Sequence, residues 1–344
     1  MRAWELQAFG LDNLVLAERP EPTPGPGQIA IRVRAAALNS RDLQVIANRY
    51  DPNQRLPIVP ASDGVGEVVA VGDGVTRVAV GDRVVPAFAQ GWVAGERTWE
   101  RWLTHTGGHH DGMLQEVAVL DAEAAVRVPE HLTDLQAAAA CVAWATAWQA
   151  LFAQGGLQPG QTVLVQGTGG VSIGALQLAV AAGARVIVTS GSDEKLERAK
   201  ALGAEAGVNY RTRPDWDAAV LELTGGEGVD HVIENAGDLE RSAACLRVGG
   251  LVSLIGYLSQ LDIDAPFVPY RYELSVLTAL LRNVRIQGIS AAPRESYDAM
   301  MRVIAANRIE PVVDERVFAF EEAPAALRHL AAGAHFGKVC VQVA

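Results

Sequence analysis

Hydrophobic and polar positions alternate with a period of two residues over the first third of the chain. Residues 28–38 place Ile29 and Ile31 on one face, and residues 66–85 repeat apolar pairs between Gly-Asp turns. Such alternation between glycine turns is typical of half-buried β-strands. We therefore predict a compact β-barrel over residues 1–125.

A different rhythm begins near residue 130, where short apolar runs alternate with segments of helical character. In chain order these are TVLVQG, GALQLAVAAGA, RVIVTS, SDEKLERAKALGA, GVNY, HVIENAG and LVSLIGY. Strands that alternate with helices form parallel βαβ units with helices on both faces of the sheet. We predict an α/β fold in which a doubly wound parallel (Rossmann) cofactor domain spans residues 126–291. Residues 283–290 could add a strand, and residues 292–344 return to the first domain.

Composition and charge narrow the class of protein. The 344 residues are 49% hydrophobic and carry a net charge of −11 without a cluster of lysine or arginine. An acidic surface repels a phosphate backbone, so we expect neither nucleic acid nor a membrane as partner. The three cysteines are far apart, and the chain has no apolar segment of about 18 residues. We expect a cytoplasmic protein.

A glycine-rich turn, GTGGVSIG, lies between a predicted strand and a predicted helix. Glycines let the backbone approach a pyrophosphate, whose charge is stabilised at the start of the helix, which we place near Val171. Ser172 stands where the usual fingerprint has its third glycine. The alternative is a mere tight loop, but the flanking strand and helix favour a dinucleotide site. The predicted contacts are Gly167, Thr168, Gly169, Gly170 and Val171.

The strand that follows this helix indicates which dinucleotide binds. An NAD site usually has an acidic residue at the end of that strand, whereas this chain has Ser190. Ser190, Lys195 and Tyr210 could donate hydrogen bonds to a 2′-phosphate, which favours NADPH, with NADH as the alternative. Lys195 could instead belong to a solvated helix face beside Asp193 and Glu194.

Further cofactor contacts are expected where the other strands end. Ligands of open α/β sheets bind outside the carboxyl ends of the strands, so residues at these ends should approach the nicotinamide half. Each could equally be an ordinary loop residue. They are Asn235, Ala236, Gly256, Tyr257 and Ser290.

Four segments together resemble the medium-chain dehydrogenase/reductase superfamily over essentially the whole chain. The resemblance implies a GroES-like β-barrel catalytic domain followed by the Rossmann domain, and a homodimer joined through the cofactor domains. The segments are LNSRD at 38–42, the glycine-rich stretch at 60–84, residues 167–190 and HFGKVCV at 335–341.

The zinc alcohol dehydrogenases of this superfamily have a cysteine where Asn39 stands and a His-Glu pair where Ser62 and Asp63 stand. Cys141 is displaced by one residue from their third ligand, and the four cysteines of their structural zinc lobe are absent. One thiol cannot hold a catalytic zinc, so we expect no metal. The segment with His105, His109, His110 and Asp111 is expected to be an exposed polar loop rather than a metal site.

The chain is more similar to the zinc-independent branch, which includes the quinone oxidoreductases. That branch's pattern of Asn, Asp and Tyr is met by Asn39, Asp42 and Tyr50, and its lysine before the final strand resembles Lys338, which we assign to the cofactor. The residues with which that branch contacts the NADPH phosphate resemble Ser190, Lys195 and Tyr210 of this chain.

Without a Lewis acid, hydride transfer suits a quinone or an α,β-unsaturated carbonyl, because the developing charge is delocalised. Asn39 and Tyr50 would orient the substrate oxygen, Tyr50 or a water would supply the proton, and Asp42 would fix the backbone or Arg41. Alternatively, Asn39 and Asp42 cap a helix beginning near Ser40, and Tyr50 is a packed aromatic. Two other functions stay open: an alcohol or aldehyde dehydrogenase, and a non-catalytic NADPH-binding protein.

Overall fold

A computed structural model describes residues 1–256 and 271–344 of the chain. Within this part the chain forms two compact units, one with residues 1–145 and 291–344, the other with residues 146–256 and 271–290.

The first unit is built mainly from strands, with short helices at its turns. Two strands form a separate antiparallel ladder, and the others form a sheet in the order β14-β15-β3-β4-β5-β7, with β6 paired to β3. Its elements are β1 (Arg2–Leu6), β2 (Leu14–Glu18), β3 (Gln28–Ala37), α1 (Ser40–Ile46), β4 (Asp63–Val71), β5 (Arg83–Pro86), α2 (Trp99–Trp102), β6 (Val117–Asp121), β7 (Ala125–Arg127), α3 (Asp134–Ala139), α10 (Arg294–Asn307), β14 (Phe318–Ala319), α11 (Ala323–Ala331) and β15 (Cys340–Gln342).

The alternation seen in the sequence produces this sheet. Ile29, Ile31 and Val33 of β3 are fully buried, because one face of the strand forms the core of the unit. At the other end of the chain, β15 pairs antiparallel with β3, so the final strand rejoins the first unit.

Residues 126–145, which the sequence assigned to the cofactor domain, lie in the first unit. The reason is that β7 pairs with β5, and that Arg83 of β5 donates hydrogen bonds to Leu132 O (3.0 Å) and to Asp134 Oδ1 (2.7 Å). The sequence pattern therefore changes from strands to alternating strands and helices near residue 130, before the boundary between the units at residues 145 and 146.

The second unit is a parallel sheet with the strand order β10-β9-β8-β11-β12-β13. This confirms the predicted doubly wound fold. Successive strands run outward from β8 on one side and then from β11 on the other, and in sheets of this kind ligands bind where the order reverses. Helix α4 (Val142–Trp148) crosses the division between the units. The other elements are β8 (Thr162–Gln166), α5 (Gly170–Ala181), β9 (Arg185–Ser190), α6 (Asp193–Ala201), β10 (Ala206–Asn209), α7 (Trp216–Leu223), β11 (Val229–Glu234), α8 (Leu239–Ala244), β12 (Leu246–Leu254), α9 (Val276–Arg282) and β13 (Arg285–Gly288).

The three cysteines are free and buried. Burial raises the pKa of the Cys141 thiol well above its usual value and raises the pKa of Cys245 and of Cys340 to about 12. These thiols are therefore protonated and unreactive at neutral pH.

In residues 1–256 and 271–344, no helix has the length and apolar character needed to span a membrane.

Candidate functional site

The glycine-rich turn joins β8 to α5. Gly167 has a φ of +77°, which favours glycine, and its N–H donates to Thr189 O of the neighbouring strand (2.8 Å). Helix α5 begins at Gly170, with Gly169 as its N-cap and no capping side chain. The free N–H groups of this first turn can receive a pyrophosphate, as the motif predicts.

Ser172, the departure from the glycine fingerprint, has a specific place in the structure. Its hydroxyl donates to Gln166 O at the end of β8 (2.7 Å) and accepts from Asn235 Nδ2 (3.3 Å). A glycine could make neither bond. Ser172 therefore connects the phosphate-binding turn to the loop that follows β11.

Two buried polar side chains that sequence reasoning missed hold the loop after β11. The Glu234 carboxylate is fully buried and accepts from Ala236 N (2.8 Å) and Gly237 N (2.7 Å). Gln166 Oε1 accepts from Asn235 N and from Ala236 N, both at 3.2 Å. Glu234 ends a β-strand in the sequence and carried no motif signal that could have found it.

Other residues predicted at this edge of the sheet behave differently from one another. Gly256 packs so closely on Asn235 that a Cβ would lie 2.7 Å from the Asn235 backbone, so the two strand ends do converge. Ser290 is exposed after Ile289, whose N–H donates to Leu254 O (2.9 Å). Tyr257 lies outside the described residues.

The residues predicted to bind a 2′-phosphate lie at or near the turn that follows β9. A Cβ on Gly191 would lie 2.8 Å from Tyr210 Oη and 2.8 Å from Arg211 Nε, so both side chains converge on this turn. Arg211 is a cation that the sequence analysis missed, since only the fold brings residue 211 back to β9. Ser190 is buried and its Oγ accepts from Ser192 N (3.3 Å), while Lys195 lies half-buried in the first turn of α6.

In the first unit, α1 begins at Ser40 with Asn39 as its N-cap. Asp42 Oδ2 accepts from Asn39 N (2.8 Å), which is the capping arrangement that the sequence left as the alternative to a catalytic role for Asp42. The Asn39 side chain also reaches residues beyond the helix, Ser62 just before β4 and Lys338 before β15.

Those contacts form a closed ring of four side chains. Lys338 Nζ donates to Asn39 Oδ1 (2.6 Å), Asn39 Nδ2 donates to Ser62 Oγ (3.3 Å), and Ser62 Oγ donates to Asp63 Oδ1 (2.9 Å). Asp63 Oδ2 lies 3.6 Å from Lys338 Nζ and completes the ring. Lys338 also donates to Leu38 O (2.6 Å) and is only 2% exposed. Lys338 was predicted to contact the cofactor, but these partners, Leu38, Asn39 and Asp63, lie in the first unit.

The family resemblance equates Asn39, Ser62 and Asp63 of this ring with ligands of the zinc alcohol dehydrogenases, and the donor set present here does not fit zinc. An amide and a hydroxyl replace two ligands, and the protonated Cys141 thiol donates to Gly64 O and Ala137 O. The Lys338 ammonium adds a positive charge that repels a second cation. Within the described ranges, no group of three or more His, Cys, Asp and Glu side chains is arranged to hold a metal ion.

Aromatic rings surround Arg41 of α1. The guanidinium carbon lies 4.5 Å from the centre of the Tyr50 ring and 5.3 Å from that of Phe88. The His105 ring stacks on Phe88 and meets Tyr50 edge-on, both at 5.5 Å. The expectation of an exposed loop was wrong at His105 and Thr106, which are buried because this segment packs over Phe88 and Arg41.

Comparisons with known proteins agree with this architecture. Residues 25–130 match the alcohol dehydrogenase GroES-like domain, and residues 170–306 match the zinc-binding dehydrogenase domain. The chain is 40% identical to a zinc-type alcohol dehydrogenase-like protein of Schizosaccharomyces pombe over 342 residues, which are 97% of this chain and 96% of the relative.

Two solved structures illustrate the range of similar proteins. One is assigned as an alcohol dehydrogenase from Sinorhizobium meliloti, with a TM-score of 0.90, 39% identity and coverage of 99% of this chain and 98% of that one. The other is a quinone oxidoreductase from Thermus thermophilus, described together with its NADPH complex, with a TM-score of 0.76, 29% identity and complete coverage of both chains. The chain therefore belongs to the medium-chain dehydrogenase/reductase superfamily of oxidoreductases, which bind nicotinamide cofactors.

Proposed function

We propose that the protein is a zinc-independent oxidoreductase that uses NADPH to reduce a quinone or an α,β-unsaturated carbonyl. The observation that supports this most strongly is the ring of Lys338, Asn39, Ser62 and Asp63. A buried ammonium, 2.6 Å from Asn39 Oδ1, provides the positive charge at the place where other members of the superfamily bind zinc.

The ring also determines what Asn39 can offer to a substrate. Because Asn39 Oδ1 accepts from Lys338, its Nδ2 group is left as the donor. Its bond to Ser62 is long at 3.3 Å, and the second N–H is available to a substrate oxygen. An amide donor stabilises an oxyanion less than a metal ion does, so an acceptor that delocalises its charge is favoured. NADPH, when bound, supplies the hydride, and Tyr50 is proposed as the proton donor.

The preference for NADPH rests on the turn after β9. Tyr210 and Arg211 converge on Gly191, Lys195 lies in the next helix, and the strand ends in Ser190 rather than in an acid. A guanidinium binds a phosphate strongly, whereas a carboxylate at the strand end would repel one. The 2′-phosphate is the group that distinguishes NADPH from NADH.

We propose in addition that two copies associate through the second unit. Strand β13 ends the sheet, and its residues Arg285–Gly288 are all exposed. The preceding helix α9 presents Val276, Leu280 and Leu281 with 74%, 72% and 68% of their surfaces exposed. An open strand edge beside exposed apolar side chains is typical of an interface. Analytical ultracentrifugation of the protein and of Leu280→Glu tests this, with a monomeric wild type as the contrary result.

The names of several relatives favour a second function, that of an alcohol or aldehyde dehydrogenase. The two are separated by measuring NADPH oxidation with quinones and enones, and NADP⁺ reduction with simple alcohols, with and without a chelator. Elemental analysis of the purified protein accompanies both assays.

We expect turnover of NADPH with quinones or enones that a chelator does not change, and less than stoichiometric zinc. Activity with alcohols alone that is lost on chelation would instead assign a metal enzyme. Tight binding of NADPH without turnover of any substrate would identify a non-catalytic NADPH-binding protein.

A further inference from the structure

We propose that Arg41 binds a carboxylate group of the substrate. The inference rests on the proposed function and adds a substrate class to it. Arg41 is 7% exposed, and its Nη1 donates to Thr106 O (3.1 Å) and Gly107 O (3.0 Å) and lies 3.3 Å from Asp42 Oδ1. Its Nε and Nη2 atoms are buried and have no hydrogen-bond partner.

The two unpaired atoms lie on one edge of the planar guanidinium. Two parallel N–H donors on such an edge match the two oxygens of a carboxylate, which is the arrangement that makes arginine the preferred partner of this group. Leaving charged donors buried and unpaired is costly, so the edge points to a ligand rather than to packing. Gln44, one turn further along α1, is fully buried and lacks partners for both amide atoms.

The site lies beside the residues proposed to hold the reacting oxygen. The Asp42 carboxylate accepts from Asn39 N through one oxygen and faces Arg41 through the other. The Asn39 main chain and Arg41 Nη1 therefore contact the same carboxylate, which places the two residues side by side at the start of α1. The Tyr50 ring covers the guanidinium face, 4.5 Å away. A small substrate with its carbonyl at Asn39 can place a nearby carboxylate at Arg41.

Gly108 closes the edge in this structure. A Cβ on Gly108 would lie 3.0 Å from Arg41 Nη2 and would overlap His105 Nε2, which also has no hydrogen-bond partner. Burial and the neighbouring Arg41 charge lower the pKa of His105 to about 3, so this imidazole is neutral and adds no second charge. Binding of a carboxylate at this edge therefore requires Gly108 to move away from Arg41 Nη2.

The test compares benzoylacrylate, an enone that carries a carboxylate, with its methyl ester. The quantity measured is the ratio of kcat/KM for the acid to that for the ester, because a change in this ratio between variants cancels the different reactivities of the two compounds. Loss of a charge-assisted pair predicts that Arg41→Gln lowers the ratio by roughly tenfold to a hundredfold. Arg34→Gln, which removes a surface arginine paired with Glu67, is the matched control and should leave the ratio unchanged.

A second variant guards against misfolding of Arg41→Gln, since Arg41 holds two backbone carbonyls. Gly108→Ala keeps the guanidinium, and Gly108 does not have a positive φ that alanine would resist. Because the new Cβ would overlap His105 Nε2, the His105 ring must shift, and a thermal melt checks that this variant is folded. The added methyl crowds the unpaired edge and should also lower the acid-to-ester ratio. An unchanged ratio in both variants would overturn the assignment.

A binding measurement separates this proposal from the proposed function. Benzoylpropionate, the saturated acid, is titrated calorimetrically into the wild type and Arg41→Gln, with its methyl ester as the neutral control. Selective binding of the acid that Arg41→Gln abolishes supports the site even if no enone or quinone is reduced. Equal binding of acid and ester by the wild type refutes it, whatever the outcome of the activity assays.

Discussion

Replacing Lys338 with methionine removes the positive charge from the four-residue ring while keeping the length of the side chain. The change deprives Leu38 O and Asn39 Oδ1 of donors at 2.6 Å and leaves the buried Asp63 carboxylate without the cation 3.6 Å away. Removing one member of a buried ion pair costs about 3–5 kcal/mol. The ion pair itself is long, and the Asp63 carboxylate keeps the Ser62 hydroxyl and Val142 N as donors. We therefore expect Lys338→Met to lower the free energy of unfolding by about 3 kcal/mol, the lower end of this range.

The matched control is Lys200→Met in α6. Lys200 makes an exposed pair with Glu197 at 2.7 Å, and such pairs contribute less than about 1 kcal/mol. Urea unfolding of the two variants and the wild type measures the difference. If both substitutions lowered the free energy of unfolding equally, the buried ring would contribute no more to stability than an exposed ion pair, which would contradict the prediction.

The same variant decides between two roles for Lys338. If Lys338 positions Asn39, Lys338→Met lowers kcat and leaves the Kd of NADPH within about twofold, since the lysine contacts residues of the first unit. Fluorescence titration with NADPH and steady-state kinetics with a quinone measure both quantities. A weaker Kd with unchanged kcat would refute the positioning role and support the cofactor role predicted from the sequence.

Three further predictions concern other parts of the molecule. Arg211→Gln should weaken NADPH binding by about tenfold without affecting NADH, as measured by titration of both cofactors, whereas Arg213→Gln two residues along should change neither. Ser172→Gly should lower the free energy of unfolding by about 1–2 kcal/mol through the lost hydroxyl bonds and an added helical glycine; an unchanged melting temperature would contradict this. Because the pKa of His105 falls to about 3 on folding, only the unfolded chain takes up this proton as the pH falls below 6.5, so stability decreases from there toward pH 3. Replacing His105 with glutamine should flatten that part of the pH profile of urea unfolding.

Local patterns were sufficient for the elements and for the dinucleotide turn. A period of two residues places Ile29 and Ile31 in the core wherever the strand pairs, and the run before Gly167 is apolar because β8 is buried on both faces. The positive φ of Gly167 and the start of α5 follow from the glycine spacing itself. These features depend on neighbours within a few residues, so their signal lies in a short stretch of sequence.

Long-range proximity left no such signal. Residue number alone does not indicate that Arg211 returns to Gly191 or that Glu234 turns its carboxylate to the following loop. The burial of His105 was missed for the same reason, because the glycines around it suggest an exposed loop until Phe88 and Arg41 are packed against it.

The sequence by itself determined the class of the fold and the glycine-rich turn, because these depend on residue identity and short spacing. Only the tertiary structure decided that Lys338 and Asn39, 299 positions apart, share a hydrogen bond. The physical reason is that β15 pairs with β3 and thereby places the end of the chain beside the start of α1. Strand pairing thus places the Lys338 ammonium beside Asn39, and no local sequence pattern encodes that pairing.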